Sequence, residues 1–183
     1  MKLLLHICCG PCSIYPFEVL EKEGFSVIAG FFYNPNVHPY GEYIARKSTM
    51  EDYARKRGFR VFFHKYDMKN FFRNICGSEE HGARCKICWR MRLEEAARFA
   101  SQNGYTHFTT TLLVSPYQDQ KEVRKTGEVA AKKYGVEFIS RDFRDGFRLA
   151  QDKAKDEGMY RQKYCGCLFS EQERRKKVTK RVK

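Results

Sequence analysis

Clustered thiols are the residues in this 183-residue chain whose type and spacing can do chemistry. One cluster follows a short apolar run at the N-terminus, the second is a CxxC pair, and the third is a CxC pair near the C-terminus. Soft thiolates select iron–sulfur clusters, zinc or copper(I). The clustered thiols belong to Cys8, Cys9, Cys12, Cys85, Cys88, Cys165 and Cys167. The eighth cysteine, Cys76, stands alone and is expected by default to be a small buried side chain.

Four kinds of site are compatible with this pattern. Structural zinc needs two tight pairs around four closed ligands, which leaves three clustered thiols without a role. A thiol–disulfide enzyme needs one pair; Cys9-Gly-Pro-Cys12 fits, but Cys8 and the other clusters stay unexplained. Buried structural thiols are a third alternative, although the neighbouring residues are polar. A 4Fe–4S cluster takes four thiolates, and the remaining three are enough to bind a second metal beside it. The iron–sulfur interpretation is favoured, with zinc as its main competitor.

The elements that must position these thiols alternate between strands and helices. Apolar runs and turn signals predict strands at 2–7, 26–33, 60–64, 106–113 and 136–140. Helical patterns cover 14–23 (capped by Ser13), 42–57, 67–74, 86–103, 120–134 and part of 146–157. This alternation predicts an α/β fold, a three-layer parallel-sheet domain over 1–183 with a metal-binding C-terminal segment.

Ligands of such a sheet bind beyond the carboxyl ends of its strands, where the first cysteine cluster is expected. The loop after the second strand would bring Asn34, Asn36 and His38 to the same face. The end of the fourth strand would bring Thr110, whose hydroxyl could face a substrate. The CxxC pair is predicted at a helix start, where the helix dipole lowers thiol pKa and stabilises an anionic cluster.

The charge of the chain indicates a polyanionic partner. Its net charge is +13, and 171–183 carries seven basic and two acidic residues, so the rest of the chain still has a net charge of +8. Nucleic acid is the commonest such partner. Aromatic and basic residues interleave just before Cys165, where Arg161 and Gln162 are candidate substrate ligands beside a stacking surface. The basic segment 171–183 is expected to be a mobile tail.

No apolar run approaches the roughly 18–20 residues that cross a membrane. The N-terminal apolar run is too short for a signal peptide and ends in cysteines rather than in a cleavage site. We therefore expect a cytoplasmic protein without a membrane partner.

Taken together, the motifs resemble the QueH-type epoxyqueuosine reductases, and the resemblance spans nearly the whole chain. The motifs are His6-x-Cys8-Cys9-x-Pro11-Cys12, Asn34-Pro35-Asn36 with Glu42-Tyr43, Cys85-x-x-Cys88 with Arg92-Leu93, Thr109-Thr110-Thr111-Leu112-Leu113 with Ser115-Pro116, and Tyr160-Arg161-Gln162-x-Tyr164-Cys165-Gly166-Cys167. No Ser-Gly-Gly stretch follows the first strand, so ATP use is not expected.

The resemblance implies a HUP-like (Rossmann-like) fold, with all seven clustered cysteines binding metal. It implies reduction of epoxyqueuosine to queuosine in the anticodon loop of tRNA, the last step of queuosine biosynthesis. A 4Fe–4S cluster, an adjacent mononuclear iron and an external electron donor of the ferredoxin type would be needed. One division of the thiols gives the cluster the CxxC pair and one thiol from each other motif. Candidate proton donors are Asp119, Tyr117, Tyr164 and His38.

Overall fold

The computed structural model describes residues 1–25 and 27–182. Its centre is a five-stranded, wholly parallel sheet with the order β3-β2-β1-β4-β5. The strands are β1 (Lys2–His6), β2 (Val27–Phe32), β3 (Val61–Phe63), β4 (His107–Thr110) and β5 (Glu137–Phe138). β1 is central, and Leu3, Leu4 and Leu5 are fully buried because helices cover both faces of a parallel sheet.

Seven α-helices connect and cover these strands in the described part of the chain. They are α1 (Gly10–Lys22), α2 (Tyr40–Arg57), α3 (Met68–Ile75), α4 (Ala83–Gln102), α5 (Gln120–Tyr134), α6 (Phe147–Asp156) and α7 (Leu168–Val182). α1 packs against α2 and α6, whereas α4 packs against α3, α5 and the central strands. The predicted α/β fold with three layers is confirmed. None of the described helices is both long and apolar enough to cross a membrane.

The strand order reverses between β1 and β4, and this point fixes where the site lies. β1 is followed by β2 on one side, while β4 on its other side arrives after a long crossover. In open α/β sheets the loops diverge at such a point and leave a crevice at the carboxyl ends of the strands. The first cysteine cluster follows β1 here, opposite the 3-10 turn Thr111–Val114 that follows β4.

The structure corrects two expectations. α1 begins at Gly10, with Cys9 as its N-cap, so Ser13 is no cap but donates its hydroxyl to the Gly10 carbonyl at 2.6 Å. Cys76 is exposed, not buried. The segment from residue 171 belongs to α7 as far as Val182, while Lys183 lies outside the described residues, and the mobility of this tail stays a prediction. An ion pair of 2.6 Å between Glu173 and Arg84 joins α7 to α4.

Candidate metal centre

Cys8, Cys9 and Cys12, the N-terminal thiol group, form a compact cluster at the β1–α1 junction. Their three Sγ atoms all lie within 4.8 Å of one another, and those of Cys8 and Cys9 are 3.7 Å apart. The cause is local, because the helix begins one residue after Cys9 and its first turn brings Cys12 back over the loop. Metal–thiolate bonds of about 2.3 Å put the sulfurs of a tetrahedral ion about 3.8 Å apart. The N-terminal thiol group could therefore hold one metal ion.

Two side chains from elsewhere in the chain contact this group. The Thr111 hydroxyl donates to Cys8 Sγ at 3.2 Å and accepts from the Cys8 backbone N–H at 3.0 Å. The Gln162 amide places Nε2 at 2.9 Å from Cys9 Sγ and at 3.5 Å from Cys12 Sγ. Gln162 Oε1 is buried with no hydrogen-bond partner. The segment that follows β4 and the segment that precedes Cys165 thus both contact the N-terminal thiol group.

Hydrogen bonding within the group localises negative charge on one sulfur. Bonds from Cys12 and Cys9 lower the pKa of Cys8 well below its usual range. The same arrangement raises the pKa of Cys12, while burial raises that of Cys9. The group therefore ionises more readily at Cys8 than at Cys9 or Cys12. A bound cation would displace the thiol protons, because metals bind the thiolate form.

The other four thiols, of Cys85, Cys88, Cys165 and Cys167, form the cleft thiol group. They line a single cleft of about 540 Å³. Cys85 and Cys88 lie in the first two turns of α4, and the other two precede α7. No cysteine of the N-terminal group lines this cleft, and the division that mixed one thiol from each motif stays a prediction. Among the described residues, only the N-terminal group has three or more potential ligand atoms within 4.8 Å. The sulfurs of the cleft group are therefore spaced more widely than those of the N-terminal group.

A buried clamp holds Cys165 and Cys167 against the body. Arg46 on α2 is 2% exposed and donates to the Tyr164 carbonyl at 3.0 Å and to the Cys165 carbonyl at 2.9 Å. Its own charge is balanced by Glu42, 2.8 Å away. The Tyr164 hydroxyl donates to the His38 carbonyl, and the His38 N–H donates to the Gly166 carbonyl at 2.8 Å. Gly166 has φ +149°, and an added Cβ would lie 2.9 Å from Asn36, so only glycine fits between the two cysteines.

Burial is the largest influence on the pKa values of the CxxC pair. Burial raises the pKa of Cys85, although a backbone N–H at the helix start lowers it in part. Burial also raises the pKa of Cys88 to about 12, against the positive charge of Arg92. The expectation of lowered thiol pKa values at this helix start is wrong for Cys85 and Cys88. A bound cation must provide the charge that ionises these thiols.

Two of the predicted catalytic residues already serve the clamp. Burial raises the pKa of Tyr164, whose hydroxyl is engaged with His38. Burial lowers the pKa of His38 to about 4, its ring stacks on Phe72, and neither ring nitrogen has a hydrogen-bond partner. Asp119 is different, because it is exposed and lines the cleft beside the thiols. Its Oδ1 caps α5 by accepting from the Glu122 N–H at 3.1 Å.

The predicted substrate-binding residues differ in whether they line the cleft, lie deeper in the protein or contact thiols. Asn36 lines the cleft, is 2% exposed, and its Oδ1 has no partner. Asn34 lies deeper, between the Ile7 carbonyl and Arg92. The Thr110 hydroxyl already binds His6 and the Leu112 N–H, so Thr111 is the threonine that meets a thiol. Arg161 is exposed, and Gln162 contacts thiols. These substrate roles stay predictions.

Three contacting residues were not predicted from the sequence: Arg46, Arg92 and Gln118. Gln118 Nε2 lies 3.6 Å from Cys165 Sγ, and its Oε1 accepts from the Trp89 indole at 2.8 Å. Only Arg92 carried a signal, because it follows Cys88 by four residues on a helix and therefore lies on the same face.

The fold and the site define a class: a doubly wound α/β protein with thiol groups, one of them suited to a metal ion, at the switch point of its sheet. A model of the family "Epoxyqueuosine reductase QueH" matches residues 3–173, and the chain belongs to that family. Relatives named epoxyqueuosine reductase QueH include that of Dehalococcoides mccartyi, which is 37% identical over 94% of both chains. That of Haemophilus influenzae is 38% identical over 92% of this chain and 71% of its own.

A solved structure supports the fold alone. It is described as a predicted subunit of tRNA methyltransferase from Methanocaldococcus jannaschii. The match has a TM-score of 0.53 at 15% identity and covers 85% of this chain and 76% of the other.

Proposed function

We propose that the protein reduces epoxyqueuosine in tRNA to queuosine. The observation that carries this proposal is the match to the reductase family over 3–173, which includes every clustered cysteine. In the reaction both carbon–oxygen bonds of the epoxide break and a carbon–carbon double bond forms. Two electrons and two protons are consumed, and the oxygen leaves as water. Protein side chains do not supply such electrons unaided, so the reaction needs a redox cofactor.

The two thiol groups suit two different metal sites. The cleft thiol group would hold a 4Fe–4S cluster, because four thiolates are required and four line one cleft. The N-terminal thiol group would hold the adjacent iron, because its sulfurs are spaced for a single ion. When bound, these groups would supply single electrons and Lewis acidity toward the epoxide oxygen.

The chain's own residues would bind the modified base and handle protons. Asn36 offers an unpartnered buried oxygen to a polar group of the base in the cleft. Asp119 lies where it could pass a proton to the leaving oxygen, with its Oδ1 oriented by the Glu122 N–H. Tyr117 at the cleft is 83% exposed and offers a ring for a neighbouring base to stack on.

The partner would be tRNA that carries epoxyqueuosine, together with an external electron donor of the ferredoxin type, in the cytoplasm. Lys86 and Lys177 line the cleft and would meet phosphates next to the modified base. Binding of tRNA should therefore weaken as the salt concentration rises.

The proposal is tested on anaerobically purified protein. We expect brown protein with inorganic sulfide, more iron than one cluster needs, and conversion of epoxyqueuosine-tRNA to queuosine-tRNA with a chemical reductant. Colourless protein with stoichiometric zinc and no sulfide, even after reconstitution, would instead favour a zinc-dependent RNA-binding protein. Turnover of a disulfide substrate by Cys9 and Cys12 alone would favour a thiol–disulfide oxidoreductase.

A further inference from the structure

A buried arginine lies beside the cleft thiol group. Arg92 is on α4, one turn after Cys88, and is 2% exposed. One guanidinium nitrogen lies 4.0 Å from Cys88 Sγ, and another donates to Asn34 Oδ1 at 2.7 Å. Asn34 is itself fixed, since its amide donates to the Ile7 carbonyl at 2.9 Å. Both functional groups of Asn34 are therefore used to hold Arg92.

No carboxylate balances this charge among the described residues. Arg46 is equally buried but pairs with Glu42 at 2.8 Å, and Arg84 pairs with Glu173 at 2.6 Å. Arg92 forms no such pair within the described ranges, and its Nε has no partner. A buried cation without a counter-charge is strongly destabilising, and arginine cannot lose its proton to escape that penalty.

The charge of Arg92 faces a thiol instead. One guanidinium nitrogen lies 4.0 Å from Cys88 Sγ, in the cleft thiol group. Metal binding requires that sulfur to be a thiolate, so the cation would then lie beside a negative charge.

We propose that Arg92 is the counter-charge of the cleft thiol group, which stabilises its metal-bound thiolates and raises the reduction potential of the cleft cluster. Arg92 is a positioning residue, not a catalytic one. The proposal rests on the proposed cofactors of the reductase. Its physical basis is that reduction adds negative charge to the site, and a nearby fixed cation in a poorly solvated interior favours the more negative state.

The test compares three variants by redox titration, followed by visible absorbance and electron paramagnetic resonance, and by iron and sulfide content. Arg92→Gln removes the charge, and we expect a more negative midpoint potential and faster loss of iron to a chelator. Arg92→Lys keeps the charge, and we expect a potential close to that of the parent. Lys86→Gln is the matched control, because this lysine follows Cys85 but its side chain is 62% exposed, so its removal should shift the potential much less.

Asn34→Asp covers the case in which Arg92→Gln does not fold. The new carboxylate would pair with Arg92 and neutralise it, so we expect the potential to fall although the arginine is present. An unchanged potential in Arg92→Gln would overturn the proposal. If Arg92→Gln does not fold, an unchanged potential in Asn34→Asp would overturn it. Absence of any cluster from the parent protein would instead contradict the proposed cofactors, because it precedes any comparison of variants.

Discussion

The two thiol groups are built in different ways, although both lie at the carboxyl end of the sheet. The three cysteines of the N-terminal group lie within five consecutive positions, and one strand–helix junction sets their arrangement. The cleft group joins α4 to a segment near the C-terminus, and it exists only if that segment is held in place. The first group therefore depends on local structure, whereas the second depends on tertiary contacts far along the chain. Their responses to mutation should differ accordingly.

The largest expected effect is a separation of metal losses by cysteine substitution. Serine at Cys8, Cys9 or Cys12 should remove about one iron and leave inorganic sulfide and colour. Serine at Cys85, Cys88, Cys165 or Cys167 should remove sulfide and colour. Activity should fall in all seven by more than about 100-fold, since even residues that only orient metal ligands cost about 10–100-fold. Anaerobic iron and sulfide assays on each variant provide the measurement.

Cys76→Ser is the matched control, because Cys76 is exposed and outside both groups. It should keep metal and activity. Near-normal activity and iron in two or more of the seven would contradict the arrangement. Sulfide loss from the N-terminal variants as well would show that the two groups share one cluster.

The next effect separates the groups through the clamp. Arg46→Gln removes the counter-charge of the buried Glu42 carboxylate, which keeps the Tyr160 hydroxyl as a donor, and breaking such a buried pair costs roughly 3–5 kcal/mol. We expect a corresponding loss in the free energy of unfolding, measured with urea. We also expect the protein to lose the sulfide of the cleft cluster more readily than the single iron of the N-terminal group. Arg175→Gln is the control, because this arginine makes the same type of pair with Glu171 but is 78% exposed. Its effect should stay within about 0.5 kcal/mol. Equal losses in both variants would mean that the clamp does not hold the cleft group.

Sequence patterns predicted the parts of this molecule that depend on local rules. The five strands, the helix Gln120–Tyr134 and the compact first cluster follow from apolar runs, capping signals and glycines. The grouping of the other cysteines could not be predicted, because it depends on hydrogen bonds by which Arg46 on α2 holds a segment that lies more than 100 residues further along the chain. The start of α1 was missed because Cys9 occupies the N-cap without a side-chain hydrogen bond, which no capping rule anticipates.

The smallest effect concerns a buried histidine beneath the N-terminal group. His6 is fully buried, with Nδ1 2.8 Å from the Thr110 hydroxyl and Nε2 3.2 Å from the Tyr33 carbonyl. Because a carbonyl only accepts, Nε2 carries the proton and Nδ1 accepts from Thr110. Burial, assisted by the charge of Arg92, lowers the pKa of His6 from 6.5 to about 3. The folded protein therefore keeps this ring neutral at pH values where the unfolded chain protonates it.

The sign of the pH dependence follows from that difference. The contribution of His6 to stability is fully present above pH 6.5 and is lost as the pH falls from 6.5 toward 3, by up to about 1.4 kcal/mol per pH unit. His6→Gln should lower the free energy of unfolding at pH 7 by about 1–3 kcal/mol, because it disturbs two buried hydrogen bonds. It should also make the decline between pH 6.5 and 5 shallower than in the parent protein. His81→Gln, at an exposed position, controls for loss of a histidine as such. Equal pH slopes for the parent and His6→Gln in urea titrations would show that the ring is not held neutral. The contacts of His6 beneath the N-terminal group would then be less rigid than the structure indicates.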